Sequence, residues 1–357
     1  MGGHAHGHGG EEQNCNGEPI ELGRQGLRIA SVFILLVASF GGALLPVLLS
    51  RQSKMRISPK FFFICKFVGT GVIITTAWLH LLEPALDQLG DECVGQRWPS
   101  MGSYPWALCI GLMTVMVMFF VELIATSFGE DDHDESKSHA NTISATSDIS
   151  DMENIHDELA LKSDMKQPGP PISVDIETAV TGIADRDKND GKPIGGLAGQ
   201  LTGIFILEFG VIFHSVFIGL TLGTTGVDKL NILLIVLVFH QMFEGLGLGS
   251  RLATAPWPKG KSWLPYVLAL GFGLSTPIGI AAGIGARPDN AATQKLTNGI
   301  FDSISAGILM YTGLVELLAH EFMFNPTMRS APLKVKLSAF ACIAFGVIVM
   351  AVLAVWA

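Results

Sequence analysis

The chain has 357 residues, of which 49% are hydrophobic and only 15% are charged, and its mean hydropathy is +0.44. This balance excludes an ordinary soluble globular domain and predicts a chain embedded in lipid. The formal net charge of -9 comes from one segment, residues 130–192, which carries sixteen acidic and six basic side chains. The rest of the chain is nearly neutral and has no basic stripe, so nucleic acid is excluded as a partner.

The N-terminal tail, residues 1–26, contains the sequence HAHGHGG and is polar and acidic. It lacks the basic start of a signal peptide, so we expect the first apolar run to be an uncleaved span. Alternating His residues predict either capture of a metal ion outside the membrane or a merely solvated tail. Both interpretations stay open.

Eight apolar runs are long enough to cross a bilayer core, which takes about 20 residues of helix. They predict an all-α membrane protein, with three helices in residues 27–128 and five in residues 197–357. The runs cover residues 27–49, 61–82, 104–128, 197–223, 230–249, 264–286, 297–319 and 337–357.

The connections after the first, fifth and seventh runs hold ten Lys and Arg residues, whereas the opposite side holds six. Because positive charge accumulates on the cytosolic side, both termini are predicted to be extracytosolic. Residues 129–196 then form a cytosolic loop, which is acidic, rich in Ser and Pro, and expected to be disordered. His133, His139 and His156 in this loop are candidates for metal sensing or are simply part of a disordered segment.

The fourth and fifth runs contain the strongest signal, since HSVFIGLTLG from His214 and HQMFEGLGLG from His240 match at six of ten positions. Consecutive spans run in opposite directions, so this similarity predicts an inverted-repeat bundle, as in many secondary transporters. Each His precedes a stripe of residues four apart, and we expect close packing along these stripes to bring the two imidazoles together. The stripes are Ser215, Gly219 and Gly223 in the fourth run and Gln241, Gly245 and Gly249 in the fifth.

Glu244 lies one helical turn after His240 and shares its face. Ionisable groups at membrane depth are costly and usually functional, although a hydrogen-bonded helix contact is the simpler alternative. Imidazole and carboxylate donors suit zinc, ferrous iron and manganese. A site without thiolates also favours release, which transport requires.

Several other polar side chains are candidates for a metal pathway. Together with His80 and Glu83, Glu208 in the fourth run and Asp302 in the seventh could line an entry path, and Glu208 is also a possible ligand. His80 and Glu83, predicted near the outer end of the second run, are either a ligand pair or an interfacial cap. At the cytosolic end of the seventh run, three residues suggest an exit path or a water-exposed helix end. These three are Glu316, His320 and Glu321.

The segments FHSVFIGLTLG and FHQMFEGLGLGSR resemble the fourth and fifth spans of the ZIP (Zrt/Irt-like) metal transporters, and FDSISAGILMYTGLVELLAHEF resembles the seventh. The likeness is nearest to the fungal zinc-regulated transporters and covers all eight spans. It implies a bundle of inverted repeats and uptake toward the cytosol. The metal site that it implies consists of His214, His240 and Glu244, with Ser215 and Gln241 beside them.

One difference from that family concerns the number of metal ions. Members with a two-metal centre have a carboxylate where this chain has Ile218, and stronger ligands where it has Ser215 and Gln241. The resemblance therefore implies a single transport site here.

The predicted function is transport of divalent metal ions, zinc first, across a membrane, most simply the plasma membrane. Transport of iron or manganese, or metal sensing by a membrane receptor, are the alternatives, and a homodimer is a possible assembly. No cofactor and no enzyme activity are expected. His320 and Glu321 begin a zinc-protease motif, but its second His is replaced by Phe324, and a phosphate loop ending at Ser262 would need a glycine at Ala255.

Overall fold

The computed structural model describes residues 23–51, 58–138, 196–258, 260–286 and 291–356. Within those ranges all regular structure is helical, and eight helices are long and apolar enough to cross a membrane. The prediction of an all-α membrane protein with eight spans is confirmed. The expectations for the HAHGHGG tail, for His139 and for His156 lie outside the described residues.

The eight spans are named α1 to α8 in chain order. They are α1 (Gln25–Arg51), α2 (Pro59–Leu89), α3 (Trp106–Ser138), α4 (Gly196–Thr224), α5 (Val227–Thr254), α6 (Leu264–Ala286), α7 (Ala291–Tyr311, continued by Thr312–Phe324) and α8 (Leu333–Ala354). Short helices Glu92–Arg97 and Pro326–Ser330 follow α2 and α7.

Helix α3 extends ten residues beyond the point where the sequence predicted a loop to begin. Its last residue is Ser138, whereas the expected cytosolic loop starts at residue 129. Propagating an existing helix costs far less than nucleating a new one, so the apolar span carries the polar residues after it into the same helix. The remainder of the predicted loop, up to residue 195, lies outside the described residues.

Two spans contain wide π-helical stretches, Thr76–Leu82 in α2 and Thr312–Phe324 in α7. In α2 the cause is local, because Pro84 follows the stretch and has no N–H to donate to the preceding turn. There the N–H of Glu83 bonds to the carbonyl of Trp78, five residues back. Such stretches are frequent at functional sites, and they rotate the following side chains relative to a regular helix.

Glycines set the closest contacts between the spans. A methyl group on Gly219 would lie 2.3 Å from the carbonyl oxygen of Thr276 in α6, and one on Gly249 would lie 2.1 Å from that of Ala43 in α1. The glycines of the two predicted small-residue stripes therefore pack on α6 and α1 rather than on each other. Helices α4 and α5 are held side by side by their outer neighbours, which corrects the reason given above for the meeting of the two imidazoles.

A buried arginine ties α1 to the turn between α4 and α5. Arg28 is 1% exposed and donates hydrogen bonds to the carbonyl oxygens of Leu222, Gly223 and Thr225. A cation at the C-terminus of a helix also interacts favourably with the helix dipole. This contact fixes the C-terminal end of α4.

The Gly249 contact gives a test of the packing. Replacing Gly249 with Ala would place a methyl group against the α1 backbone, and overpacking of this kind costs about 1–3 kcal/mol. We expect the purified Gly249→Ala protein to melt at a lower temperature in detergent than the wild type. Gly41→Ala is the matched control, since nothing lies within 4 Å of its added methyl group. Equal melting temperatures for the two variants would contradict the packing described here.

Candidate metal site

Three ionisable side chains meet where α4 and α5 run side by side near the middle of the bundle. His214 of α4 and His240 of α5 approach each other to 3.4 Å between their Nε2 atoms. The Nε2 atom of His240 also lies 3.2 Å from Oε1 of Glu244, one turn further along α5. All three side chains are at most 1% exposed, so this group is sealed from solvent.

The spacing of these atoms suits a single small cation. Two nitrogen ligands at the usual zinc distance of about 2.0–2.1 Å in a tetrahedral arrangement lie about 3.3 Å apart. The two Nε2 atoms are already at that separation, and one ligand atom from each of the three residues lies within 4.8 Å of the others. The group therefore offers two imidazoles and a carboxylate on one side of a potential ion.

The group is short of partners within the protein. Among the described residues, the second carboxylate oxygen of Glu244 and the Nδ1 atoms of both imidazoles have no hydrogen-bond partner. Unpaired polar atoms at this depth are unfavourable. A bound cation would neutralise the carboxylate, so the donor set fits a metal ion.

Ser215 and Gln241 lie beside the group and face each other. The amide nitrogen of Gln241 donates to Oγ of Ser215 at 3.4 Å, and both side chains are fully buried. Ile218, one turn further along α4, packs against an apolar cluster formed with α1 and α5. A second cation at this position would need charged ligands. Ser215 and Gln241 are neutral, and Ile218 is apolar.

His80 lies deeper than the sequence predicted. It sits in the π-helical stretch of α2, is 8% exposed, and its ring centroid is 4.8 Å from that of His240. Its Nε2 atom lies 3.1 Å from the carbonyl oxygen of Met350 in α8. Glu83 is exposed, so the predicted His80 and Glu83 pair at the outer helix end does not form.

Two further predicted residues carry carboxyl groups, Glu208 on α4 and Asp302 on α7. Glu208 lies six residues before His214 and is 2% exposed, and neither of its oxygens has a hydrogen-bond partner among the described residues. Asp302 of α7 accepts a hydrogen bond from Gln88 of α2 at 3.5 Å.

The three predicted exit residues do not form one cluster. Nδ1 of His320 lies 3.6 Å from Glu316 and 4.0 Å from Glu122 of α3, and these three groups form a second potential cation site. Glu321 is on the other side of α7, where its Oε1 lies 2.7 Å from Nζ of Lys66. Successive side chains of a regular helix point about 100° apart, so grouping Glu321 with His320 by sequence proximity was wrong.

Sequence reasoning missed three members of these arrangements. Glu122 is the single acidic residue in the apolar core of α3, and this feature would have identified it. Lys66 stands inside the second apolar run. Arg251 was counted as a loop charge, although it is 5% exposed inside α5.

Comparison with known proteins agrees with this architecture. A family model described as the ZIP zinc transporter matches residues 25–354. The chain belongs to the ZIP zinc transporter family. It is 38% identical to zinc-regulated transporter 2 of Saccharomyces cerevisiae, over 94% of this chain and 95% of the relative. It is 36% identical to zinc-regulated transporter 1 of the same yeast, over 98% and 90%. It is also 31% identical to Fe(2+) transport protein 2 of Arabidopsis thaliana, over 93% and 87%.

Membership of this family settles the class of the protein. The chain is a multi-pass integral membrane protein that transports divalent metal ions, and it is not an enzyme. The resemblance predicted from the motifs of the fourth, fifth and seventh runs is confirmed.

The candidate site gives a direct test. Glu244→Gln keeps the shape of the side chain but removes its charge, and His240→Ala removes one nitrogen donor. We expect each purified variant to bind zinc at least about tenfold more weakly than the wild type, since loss even of a group that supports a metal ligand costs about 10- to 100-fold. Equilibrium dialysis measures the affinity, and gel filtration in detergent checks that the variants remain folded. Wild-type zinc affinity in both variants would place the site elsewhere.

Proposed function

We propose that this protein carries zinc toward the cytosol through one site formed by His214, His240 and Glu244. The observation that carries the proposal is the approach of two imidazole nitrogens to 3.4 Å beside a buried carboxylate at the centre of the bundle. Ionisable side chains inside a membrane commonly mark an ion pathway. The three ligands lie in the middle of α4 and α5, at a depth that an ion has to traverse when it crosses the membrane.

The composition of the site favours reversible binding of one ion. Three protein ligands without a thiolate leave a coordination position open, as in exchangeable rather than structural zinc sites. Ser215 and Gln241 bond to each other instead of supplying charge for a second ion.

Zinc is the first choice of substrate, with ferrous iron and manganese as alternatives. Imidazole ligands suit zinc and iron alike, so the donor set alone does not rank them. Two yeast relatives, 38% and 36% identical, are named as zinc-regulated transporters, whereas an Arabidopsis relative, 31% identical, is named as an Fe(2+) transport protein. The higher identity to the zinc-named relatives supports zinc.

The orientation follows from charge and from a disulfide. Lys and Arg are more frequent in the connections after α1, α5 and α7, which favours the cytosol for that side. Cys93, in the connection between α2 and α3, is disulfide-bonded, and disulfides persist in oxidising compartments. Both features support extracytosolic termini. The plasma membrane is the proposed location.

An inverted repeat would explain the packing of the helices. Helix α1 packs on α5 as α6 packs on α4, and α2 packs on α8 as α7 packs on α3. Each helix thus has a counterpart in the other half of the bundle, and counterparts have equivalent neighbours. The counterparts are α1 and α6, α2 and α7, α3 and α8, and α4 and α5. The π-helical stretches also occur in a pair of counterparts, α2 and α7. Such a repeat would put the site on the axis between the two halves.

The transport mechanism is tested by its driving force. The sequence contains no intact phosphate loop, so zinc should enter sealed proteoliposomes down its own gradient without ATP. An inward-negative potential of 100 mV would add at most about 4.6 kcal/mol for two charges. Protons displaced from the ligands as metal binds would reduce that value if they move outward.

The measurement is radiolabelled zinc accumulation at several potassium-clamped potentials. Accumulation without ATP is the expected result, and competition by unlabelled iron and manganese ranks the substrates. A strict requirement for ATP would overturn the carrier mechanism. Zinc binding without accumulation would favour the membrane sensor.

A further inference from the structure

In the cytosolic half of the bundle, the charged side chains lie in two separate groups on two sides of α7. On one side, toward α2 and α5, Lys66, Arg251 and Glu321 form an ion-paired group that we call the clamp. On the other side, toward α3 and α4, Glu122, Glu316 and His320 form a group that we call the inner acidic group. The two groups are chemically opposite, since the clamp contains two cations and one anion.

The clamp joins three helices. Nζ of Lys66 and Nη2 of Arg251 lie 2.7 Å and 3.5 Å from separate oxygens of Glu321. The same Nη2 atom donates to Oγ1 of Thr70 at 2.6 Å, and Nη1 donates to the carbonyl oxygen of Gly247. Arg251 therefore holds α5 to both α2 and α7.

The backbones of α2 and α5 touch next to the clamp. A methyl group on Gly69 would lie 2.3 Å from Cα of Gly247. The two helices leave no space between them there for a hydrated ion. With both oxygens of Glu321 engaged by cations, the clamp also carries excess positive charge, which repels a divalent cation.

The α4 side contains the buried carboxyl group of Glu208. Glu208 lies six residues from His214 toward the cytosolic end of α4, about 9 Å along the helix axis. Both of its oxygens are buried without a hydrogen-bond partner among the described residues. An ionised carboxylate in that position needs a cation to offset its desolvation.

The inner acidic group continues this line along α4. The carboxylate of Glu316 lies against Gly203, where an added methyl group would come within 3.1 Å of it. Gly203 is five residues beyond Glu208, about 7.5 Å further along the axis. Ligand atoms of Glu316, Glu122 and His320 lie within 4.8 Å of one another, and these side chains are half-buried to exposed.

We propose that the metal ion leaves the central site along α4, through Glu208 and then the inner acidic group, and that the clamp closes the side of α7 that carries Glu321. This route rests on the proposed transport function. It makes Glu208 a transit ligand and Lys66 and Arg251 a cationic barrier. Glu321 is a partner of that barrier and not a metal ligand.

The first arm of the test removes the charge of Glu208. Gln has nearly the same shape, so a structural role tolerates Glu208→Gln, whereas a transit ligand does not. We expect the maximal zinc uptake rate in proteoliposomes to fall about 10- to 100-fold, while zinc binding at the central site is retained. Glu208→Asp should restore part of the rate because it keeps the carboxylate. Glu92→Gln, at an exposed residue of the short helix after α2, is the control and should transport normally.

The second arm compares the two sides of α7. Glu316→Gln should slow uptake as Glu208→Gln does. The double variant Lys66→Gln and Glu321→Gln removes one charge of each sign, and it leaves Arg251 its bonds to Thr70 and Gly247. We expect this double variant to keep uptake within a few-fold of the wild type.

The outcomes separate the route from the function. Loss of uptake in the Lys66 and Glu321 double variant together with normal uptake in Glu208→Gln would overturn the route and place the exit at Glu321. Equal, normal uptake in all variants would also overturn it. Failure of the wild-type protein to accumulate zinc would instead overturn the proposed function itself.

Discussion

The bundle has to bury two imidazoles and a carboxylate where neither water nor lipid can solvate them. His214, His240 and Glu244 are almost completely enclosed, and most of their neighbours are apolar or paired with each other. In such a medium the group is stable only if its members satisfy one another or share a cation. The polar centre is therefore unfavourable to bury without a cation, and its donors suit the reversible binding of a metal ion.

Glycine contacts between helices make this centre possible. Gly219 and Gly249 let α6 and α1 approach the outer faces of α4 and α5, so the faces that carry His214 and His240 turn toward each other. In lipid the apolar side chains provide no strong drive for helix association, and close van der Waals packing has to supply it. Rigid outer contacts keep the imidazoles at a spacing that suits one ion.

Beyond the centre, the distribution of charge decides where a cation can travel. Among the described residues the buried carboxyl group of Glu208 on α4 has no hydrogen-bond partner, whereas Lys66 and Arg251 occupy the interface of α2, α5 and α7. Coulomb interactions are strong where water is excluded. The placement of the charges, and not their number alone, therefore distinguishes a path that attracts a cation from one that repels it.

The sequence by itself determined the eight spans, because the length and apolarity of a helix in lipid are local properties. It also determined the identity of the polar residues at the centre, since the matched motifs at His214 and His240 are visible without a structure. Only the tertiary structure decided how these residues are grouped. His80, in the π-helical stretch of α2, lies against the ring of His240 in α5. Glu321 pairs with Lys66 of α2, whereas the neighbouring His320 lies near Glu316. Glu122 belongs to the inner acidic group, and Lys66 and Arg251 belong to the clamp, because helices that are distant in the sequence pack together. No local sequence pattern predicts such packing.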